Sequence, residues 1–220
     1  MADLVVASDP IAAAAARVEE AVRAVDAERE AARLAIPGGS AAAVVGPVRE
    51  ALGEVWRRVR LTWVDERCVP RRALDSNRGT AHRNGFLRED DPPAVELALF
   101  EDGETPEAAC ERVAEGLGRE LHAGLDVVLL GMGADGHVAS LFPGRGEPPG
   151  VVAPVYESPK PPRERVTLTT RFLRTARTTV LFATGEAKRE ALTRVLMEDP
   201  KLPASGLPGL VVVTDLELRH

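Results

Sequence analysis

The stretch Leu125-Asp126-Val127-Val128-Leu129-Leu130-Gly131-Met132-Gly133-Ala134-Asp135-Gly136-His137 sets the architecture of the chain. Its unbroken apolar run, Val127 to Leu130, is the pattern of a strand buried on both faces, as in a parallel sheet. Three glycines, an aspartate and a histidine follow between Gly131 and His137. Open α/β sheets bind their ligands just beyond the carboxyl ends of such strands. His137 is the one histidine of four in this setting, and imidazole is the side chain suited to moving protons near neutral pH. Local pattern alone leaves two readings open, a tight strand-to-helix turn and a catalytic loop.

Upstream, Leu34-Ala35-Ile36 reads as a short strand running into Pro37-Gly38-Gly39-Ser40, with a helix from Ala41 to Leu52 after it. Glycines let backbone N–H groups converge on an oxyanion, and a helix N-terminus adds partial positive charge. Ser40 as a plain N-cap is the competing reading. Leu61 to Val64 is another strand, ending in Asp65-Glu66-Arg67; for a charged triplet a solvated strand end is the ordinary expectation. Cys68 to Gly85 is a polar excursion in which Asp75-Ser76 can cap a helix toward Leu87 and His82 is expected at the surface.

Leu4 to Ala7 and Val95 to Phe100 read as strands, Ile11 to Ala32 and Pro106 to His122 as helices. Downstream, Val151 to Val155 and Val166 to Thr169 are strands, the second expected at a sheet edge because two prolines stiffen its entry. Thr178 to Ala183 is a buried strand ending in Thr184-Gly185-Glu186-Ala187-Lys188, which opens a helix through Met197; Leu210 to Val213 is the last strand. Cations are disfavoured in a first helical turn, so Lys188 either faces a bound anion or extends into solvent. Strands alternating with helices predict a single α/β domain over residues 1–220: a mostly parallel open sheet, Rossmann-like, with helices on both faces and small additional β elements. Loops after Ile36, Val64, Leu130 and Ala183 then open on one edge, which suits a small phosphorylated substrate undergoing proton transfer.

The 220 residues carry a net charge of −6, with 45% hydrophobic and 28% charged side chains. That is the composition of an ordinary globular protein, and scattered basic residues favour neither nucleic acid nor an anionic membrane. Two cysteines, Cys68 and Cys110, give no disulfide framework and no zinc spacing. Met1-Ala2-Asp3 lacks a basic leader region, and no apolar run reaches the roughly 20 residues of a membrane span. A cytoplasmic protein is expected.

Together the motifs resemble the 6-phosphogluconolactonases, within the wider family that includes glucosamine-6-phosphate deaminases. The matching stretches are Gly38-Gly39-Ser40, Trp63 to Arg67 with Val69-Pro70 and Asp75-Ser76-Asn77, Gly131 to Gly144, Pro161-Pro162 with Arg165 to Thr169, and Gly185 with Lys188. A late Leu202-Pro203-Ala204-Ser205 also matches. The deaminases share the Asp-Gly-His core but continue in a form similar to Ala-Phe-Asn-Glu-Pro. Here Ala139-Ser140-Leu141-Phe142-Pro143 follows, without a carboxylate. Many relatives follow the glycine-serine pair with Thr-Pro, where this chain has Ala41-Ala42-Ala43.

The resemblance implies hydrolysis of 6-phospho-D-glucono-1,5-lactone without metal or organic cofactor and without an obligate protein partner. It implies His137 as general base, Asp135 orienting it or a water, and Arg67 with the glycine loop stabilising the oxyanion. Gly38, Gly39, Ser40, Arg165 and Lys188 are expected at the phosphate. The alternatives are a glucosamine-6-phosphate deaminase and a non-catalytic sugar-phosphate sensor; against the sensor stand the intact histidine loop and the lack of a DNA-binding segment.

Overall fold

In the computed structural model, which describes residues 2–29, 31–122 and 124–218, the chain begins with β1 (Asp3–Val6), α1 (Pro10–Arg29) and β2 (Arg33–Ile36). A tight helical turn, Gly39–Val44, continues directly into α2 (Val45–Leu52). Next come β3 (Arg60–Trp63), β4 (Asp65–Arg67), α3 (Asn77–Arg83), β5 (Val95–Leu97) and α4 (Pro106–Glu120). The second half holds β6 (Val127–Gly131), β7 (Val152–Val155), β8 (Arg165–Leu168), α5 (Thr170–Leu173), β9 (Thr178–Phe182), α6 (Arg189–Leu196) and β10 (Leu210–Thr214).

The central sheet has the order β1-β10-β9-β6-β2-β3-β5, every neighbouring pair parallel. Its middle strand is β6, and Val127, Val128, Leu129 and Leu130 are all buried, as their uninterrupted apolar run requires. The chain places β3 and β5 to one side of β2, then returns to lay β6 on the other. Between β2 and β6 the strand order therefore reverses, which is where open α/β sheets form a ligand crevice.

Helix starts follow local chemistry. Asp9 accepts the Ala12 N–H at 3.0 Å with Pro10 opening α1, and the Thr105 hydroxyl accepts from Ala108 before Pro106 in α4. Ala14, Ala15, Val18, Val22 and Val25 form the buried stripe of α1. In α4, Ala109, Val113 and Leu117 form the buried stripe, with Leu121 buried just past the helix. Pro47 falls in the first turn of α2, where its missing N–H breaks no α-helical bond. No helix among the described residues is long and apolar enough to cross a membrane.

A smaller antiparallel sheet has the order β4-β8-β7. Here one expectation is corrected: β8 is the middle strand, not an edge. Pro161 and Pro162 precede β8 and remove no ladder donor from it, whereas β7, which carries Pro154 inside the strand, is the edge. β5 is also shorter than Val95 to Phe100, because pairing with β3 ends at Thr62 opposite Leu97, whose carbonyl accepts the Thr62 hydroxyl at 3.0 Å. His82 is largely buried rather than on the surface: its Nε2 lies 3.3 Å from Glu96, and its side chain is 17% exposed.

Candidate active site

The crevice between β2 and β6 is walled by two glycine loops. At the end of β2, a Cβ on Gly38 would fall 1.8 Å from Asn77 Oδ1, so only glycine lets Asn77 close over the loop. Gly39 follows with φ +64° and starts the helical run, leaving Gly39 and Ser40 exposed at its amino end. The first N–H groups of such a run have no partner within it. A Cβ on Gly131 would meet the Ala41 methyl at 3.0 Å, so the end of β6 and the start of this helical run are in contact. Ala41 and Ala42, in place of the family's Thr-Pro, are buried in that packing.

The second loop is folded on itself. Gly133 N–H donates to the His137 carbonyl at 2.9 Å, and Gly136, at φ +85°, donates to Gly133 at 3.0 Å. A side chain at Gly133 would strike the His137 ring at 2.1 Å and Asp135 Oδ1 at 2.4 Å. The space it vacates holds a 2.5 Å hydrogen bond between His137 Nδ1 and Asp135 Oδ1. An ionised carboxylate can only accept, so Nδ1 carries the proton, and in the neutral ring Nε2 then keeps its lone pair. The His137 side chain is 14% exposed and that of Asp135 45%. Burial pushes the imidazole below its ordinary value, with Asp135 opposing and Lys160 assisting. Burial thus favours the neutral imidazole. Burial alone would raise the Asp135 carboxyl, but His137 and Lys160 outweigh it and hold it down. Phe142 backs the histidine, the two ring centroids 4.9 Å apart.

Asp65 and Glu66 overturn the solvated strand end expected of them: both are buried, because polar partners come from distant loops. Asp65 Oδ2 accepts the Ser140 hydroxyl at 2.6 Å, and Asn77 Nδ2 donates to Oδ1 at 3.2 Å. Glu66 accepts the backbone N–H groups of Arg67, Asn77 and Arg78 at 2.7–2.8 Å, and the Ser76 hydroxyl at 3.2 Å. Burial still pushes its carboxyl up. Ser76 also caps α3 as predicted, accepting from Gly79 at 2.9 Å. One buried cluster thus ties β4 to the histidine loop and, through Asn77 beside Gly38, to the glycine turn after β2.

Arg67 and Arg165 are direct cross-strand partners in β4 and β8. Arg67 Nη1 donates to the Asp75 carbonyl at 2.9 Å, while its buried Nε has no partner among the described residues. Arg165 differs. It is 3% exposed, and its nitrogens donate to the carbonyls of Pro162, Lys160 and Pro161 and to Ser140 Oγ, with Asp65 3.7 Å away.

Those bonds fix Lys160, a residue the sequence reading passed over. Its ammonium lies 3.9 Å from Asp135. The available signal was a cation set between Pro159 and Pro161, where stiff backbone limits its reach. Lys188 ends the turn before α6; burial first, then Lys160, lower its pKa, with Asp135 opposing. Lys188, Lys160, Asp135 and His137 therefore share one electrostatic neighbourhood. Among the described residues no group of three or more His, Cys, Asp or Glu side chains is placed to hold a metal ion.

A 6-phosphogluconolactonase from Streptomyces coelicolor is 36% identical over 224 residues, covering 90% of this chain and 83% of that relative. A chloroplastic 6-phosphogluconolactonase of Arabidopsis thaliana is 35% identical over 169 residues, covering 69% of this chain but 51% of that relative, so the chain spans about half its length. The crystal structure of a 6-phosphogluconolactonase from Thermotoga maritima, 27% identical, matches with a TM-score of 0.80 over 97% of this chain and 99% of that one. The family model for glucosamine-6-phosphate isomerases/6-phosphogluconolactonase matches residues 7–213, and this chain belongs to that family.

Proposed function

We propose that this chain hydrolyses 6-phospho-D-glucono-1,5-lactone to 6-phosphogluconate. The observation that carries the reading is the His137–Asp135 pair: a neutral imidazole, held by its Nδ1, with Nε2 free to accept a proton. The residues after it favour hydrolysis over deamination. Ser140 occupies that stretch and gives its hydroxyl to Asp65, and no carboxylate lies between Val138 and Pro143.

In this mechanism Nε2 takes a proton from water as the oxygen attacks the lactone carbonyl. The tetrahedral oxyanion is met by Arg67 and by loop N–H groups other than those of Gly133 and Gly136, which are bonded within the loop; such donors stabilise charge only as it develops. Collapse breaks the bond from C1 to the ring oxygen, and the imidazolium returns its proton to that departing oxygen, so the histidine ends neutral. Asp135 keeps the tautomer throughout. Gly38, Gly39, Ser40 and Lys188 hold the phosphate. The role expected for Arg165 at the phosphate is recast as positioning, since its donors are spent on residues 160–162 and Ser140.

The test is turnover of lactone freshly generated by a glucose-6-phosphate dehydrogenase, corrected for spontaneous opening, beside an ammonia assay with glucosamine 6-phosphate. Accelerated lactone opening with no ammonia is expected. Ammonia release would replace the reading with deamination; phosphosugar binding without turnover of either substrate would replace it with a sensor.

A further inference from the structure

Just beyond His137 the loop passes through a conformation that its own sequence does not favour. Ala139 has φ +50°, in the left-handed region where a Cβ crowds the following carbonyl. The neighbouring turns at positive φ use glycine, Gly136 at +85° and Gly144 at +76°; position 139 does not. A residue with a side chain stays there only when its surroundings over-determine it. On the amino side of Ala139 the restraint is Val138, fully buried and bridged to both Met132 and Leu141, whose N–H donates to the Val138 carbonyl at 2.9 Å.

On the carboxyl side the restraint is Ser140, 3% exposed. Its N–H donates to Thr167 Oγ1 at 3.2 Å, and its hydroxyl donates to Asp65 Oδ2 at 2.6 Å while accepting from Arg165 Nη1 at 3.3 Å. A hydroxyl bond to a carboxylate is of the short, strong kind. Each partner is itself tied down. Asp65 Oδ1 accepts from Asn77 Nδ2, the other Arg165 donors go to the carbonyls of residues 160–162, and Thr167 donates to the Leu168 carbonyl at 3.0 Å. All three partners belong to β4 and β8 of the smaller sheet, and β4 also carries Arg67. The histidine loop, by contrast, leaves the large sheet at the end of β6. Ser140 is therefore a joint between the sheet that presents the base and the sheet that presents the oxyanion arginine.

We propose that Ser140 is a positioning residue whose buried bonds hold Ala139 left-handed and thereby fix the His137 ring relative to Arg67. It acts through the backbone and does not touch the substrate. Positions 139 and 140 are then coupled: the serine offsets the cost of a Cβ at positive φ. A glycine at 139 takes that conformation freely and makes Ser140 partly dispensable. A serine that served only to fill and satisfy the core would show no such coupling.

Lactone kinetics on the full chain, taken per folded molecule, test this with Ser140→Ala and with the double variant Ala139→Gly/Ser140→Ala. Ser140→Ala should lower kcat by roughly 10–10²-fold, the cost of a misplaced catalytic group. KM should stay within about twofold, because Gly39, Ser40 and Lys188 lie on other segments. The double variant should turn over at least about threefold faster than Ser140→Ala. These rates rest on the proposed lactone chemistry, whereas NMR of the His137 ring does not. Ser140→Ala should shift the Nδ1 proton held by Asp135, and the double variant should shift it back. An unmodified protein that leaves the lactone unopened would thus lose its proposed function, while the ring resonances still decide the role of Ser140. Where Ser140→Ala folds poorly, Ser140→Cys keeps the size and a weak donor, and should give the same order with smaller differences. Unchanged kcat and ring resonances in Ser140→Ala, a loss that the glycine does not repair, or a loss carried by KM would each overturn the proposal.

Discussion

The two ends of the central sheet use charge in opposite ways. At the amino end, where β2, β3 and β6 begin, charges are paired. Asp126, 1% exposed, accepts Arg33 Nε, Nη2 and backbone N–H, each at 2.9 Å, and also binds Arg29. Arg60 reaches the Glu120 carbonyl at 2.9 Å and its carboxylate at 3.1 Å. At the carboxyl end, the buried Arg67 Nε has no hydrogen-bond partner among the described residues, and the His137 ring is bonded through Nδ1. Unpaired polar groups weaken a fold. An open donor beside the histidine loop, opposite an edge tied by a buried ion-pair cluster, separates what holds the sheet from what the sheet holds.

Substitutions at the two ends should therefore fail in different measurements. His137→Ala removes the proposed base and should lower lactone kcat by roughly 10²–10⁴-fold with little change in thermal midpoint. A variant at full rate would remove His137 from the chemistry. Asp126→Ala should do the reverse. Losing one partner of a buried ion pair leaves the arginines uncompensated and costs about 3 kcal/mol, with kcat per folded molecule unchanged. Burial alone would raise the Asp126 carboxyl, but Arg33 and then Arg29 hold it below its ordinary value. A depressed carboxyl gives its full stabilisation above the unfolded-state pKa of about 3.9, and loses it as pH falls through the lower folded value. The stability gap between the two proteins should thus stay constant at neutral pH and close only in acid. A gap unchanged down to acid unfolding would mean that the carboxylate charge is not what binds this end.

How far the two ends could be read from sequence differs for the same physical reason. β6, the glycine turns and the Ser76 cap announce themselves through local pattern: an apolar run, a residue free of Cβ, a hydroxyl before a helix. The parallel order and the crevice followed from alternation of strands and helices. The burial of Asp65 did not, because its hydroxyl partner Ser140 is 75 residues away. That the Arg165 donors go to residues 160–162 and Ser140 was not legible either, because an arginine is the same letter whether its donors are spent or free. Lys160 escaped notice since its place near Asp135 is set by bonds from β8, not by its neighbours. The β8 edge assignment erred by counting prolines outside the strand rather than the one inside β7.

The smallest expected effect tests whether Lys160 belongs to the working edge or merely adorns it. Its charge depresses the His137 imidazole, together with burial and against Asp135. Lys160→Ala removes one depressing influence, so the imidazole pKa should rise toward its ordinary value. A general base acts only when unprotonated, so the acid limb of kcat/KM should move to higher pH, with the plateau rate largely kept. The same change frees Asp135 of a nearby cation, which makes its carboxyl easier to protonate and sharpens the loss in acid. Both shifts have one sign. Lys160→Arg retains the charge and should restore the profile, which a loss of packing alone would not allow. An acid limb that stays in place in Lys160→Ala would detach the Pro159–Pro162 segment from the base and leave His137 tuned by burial, Asp135 and Asp65.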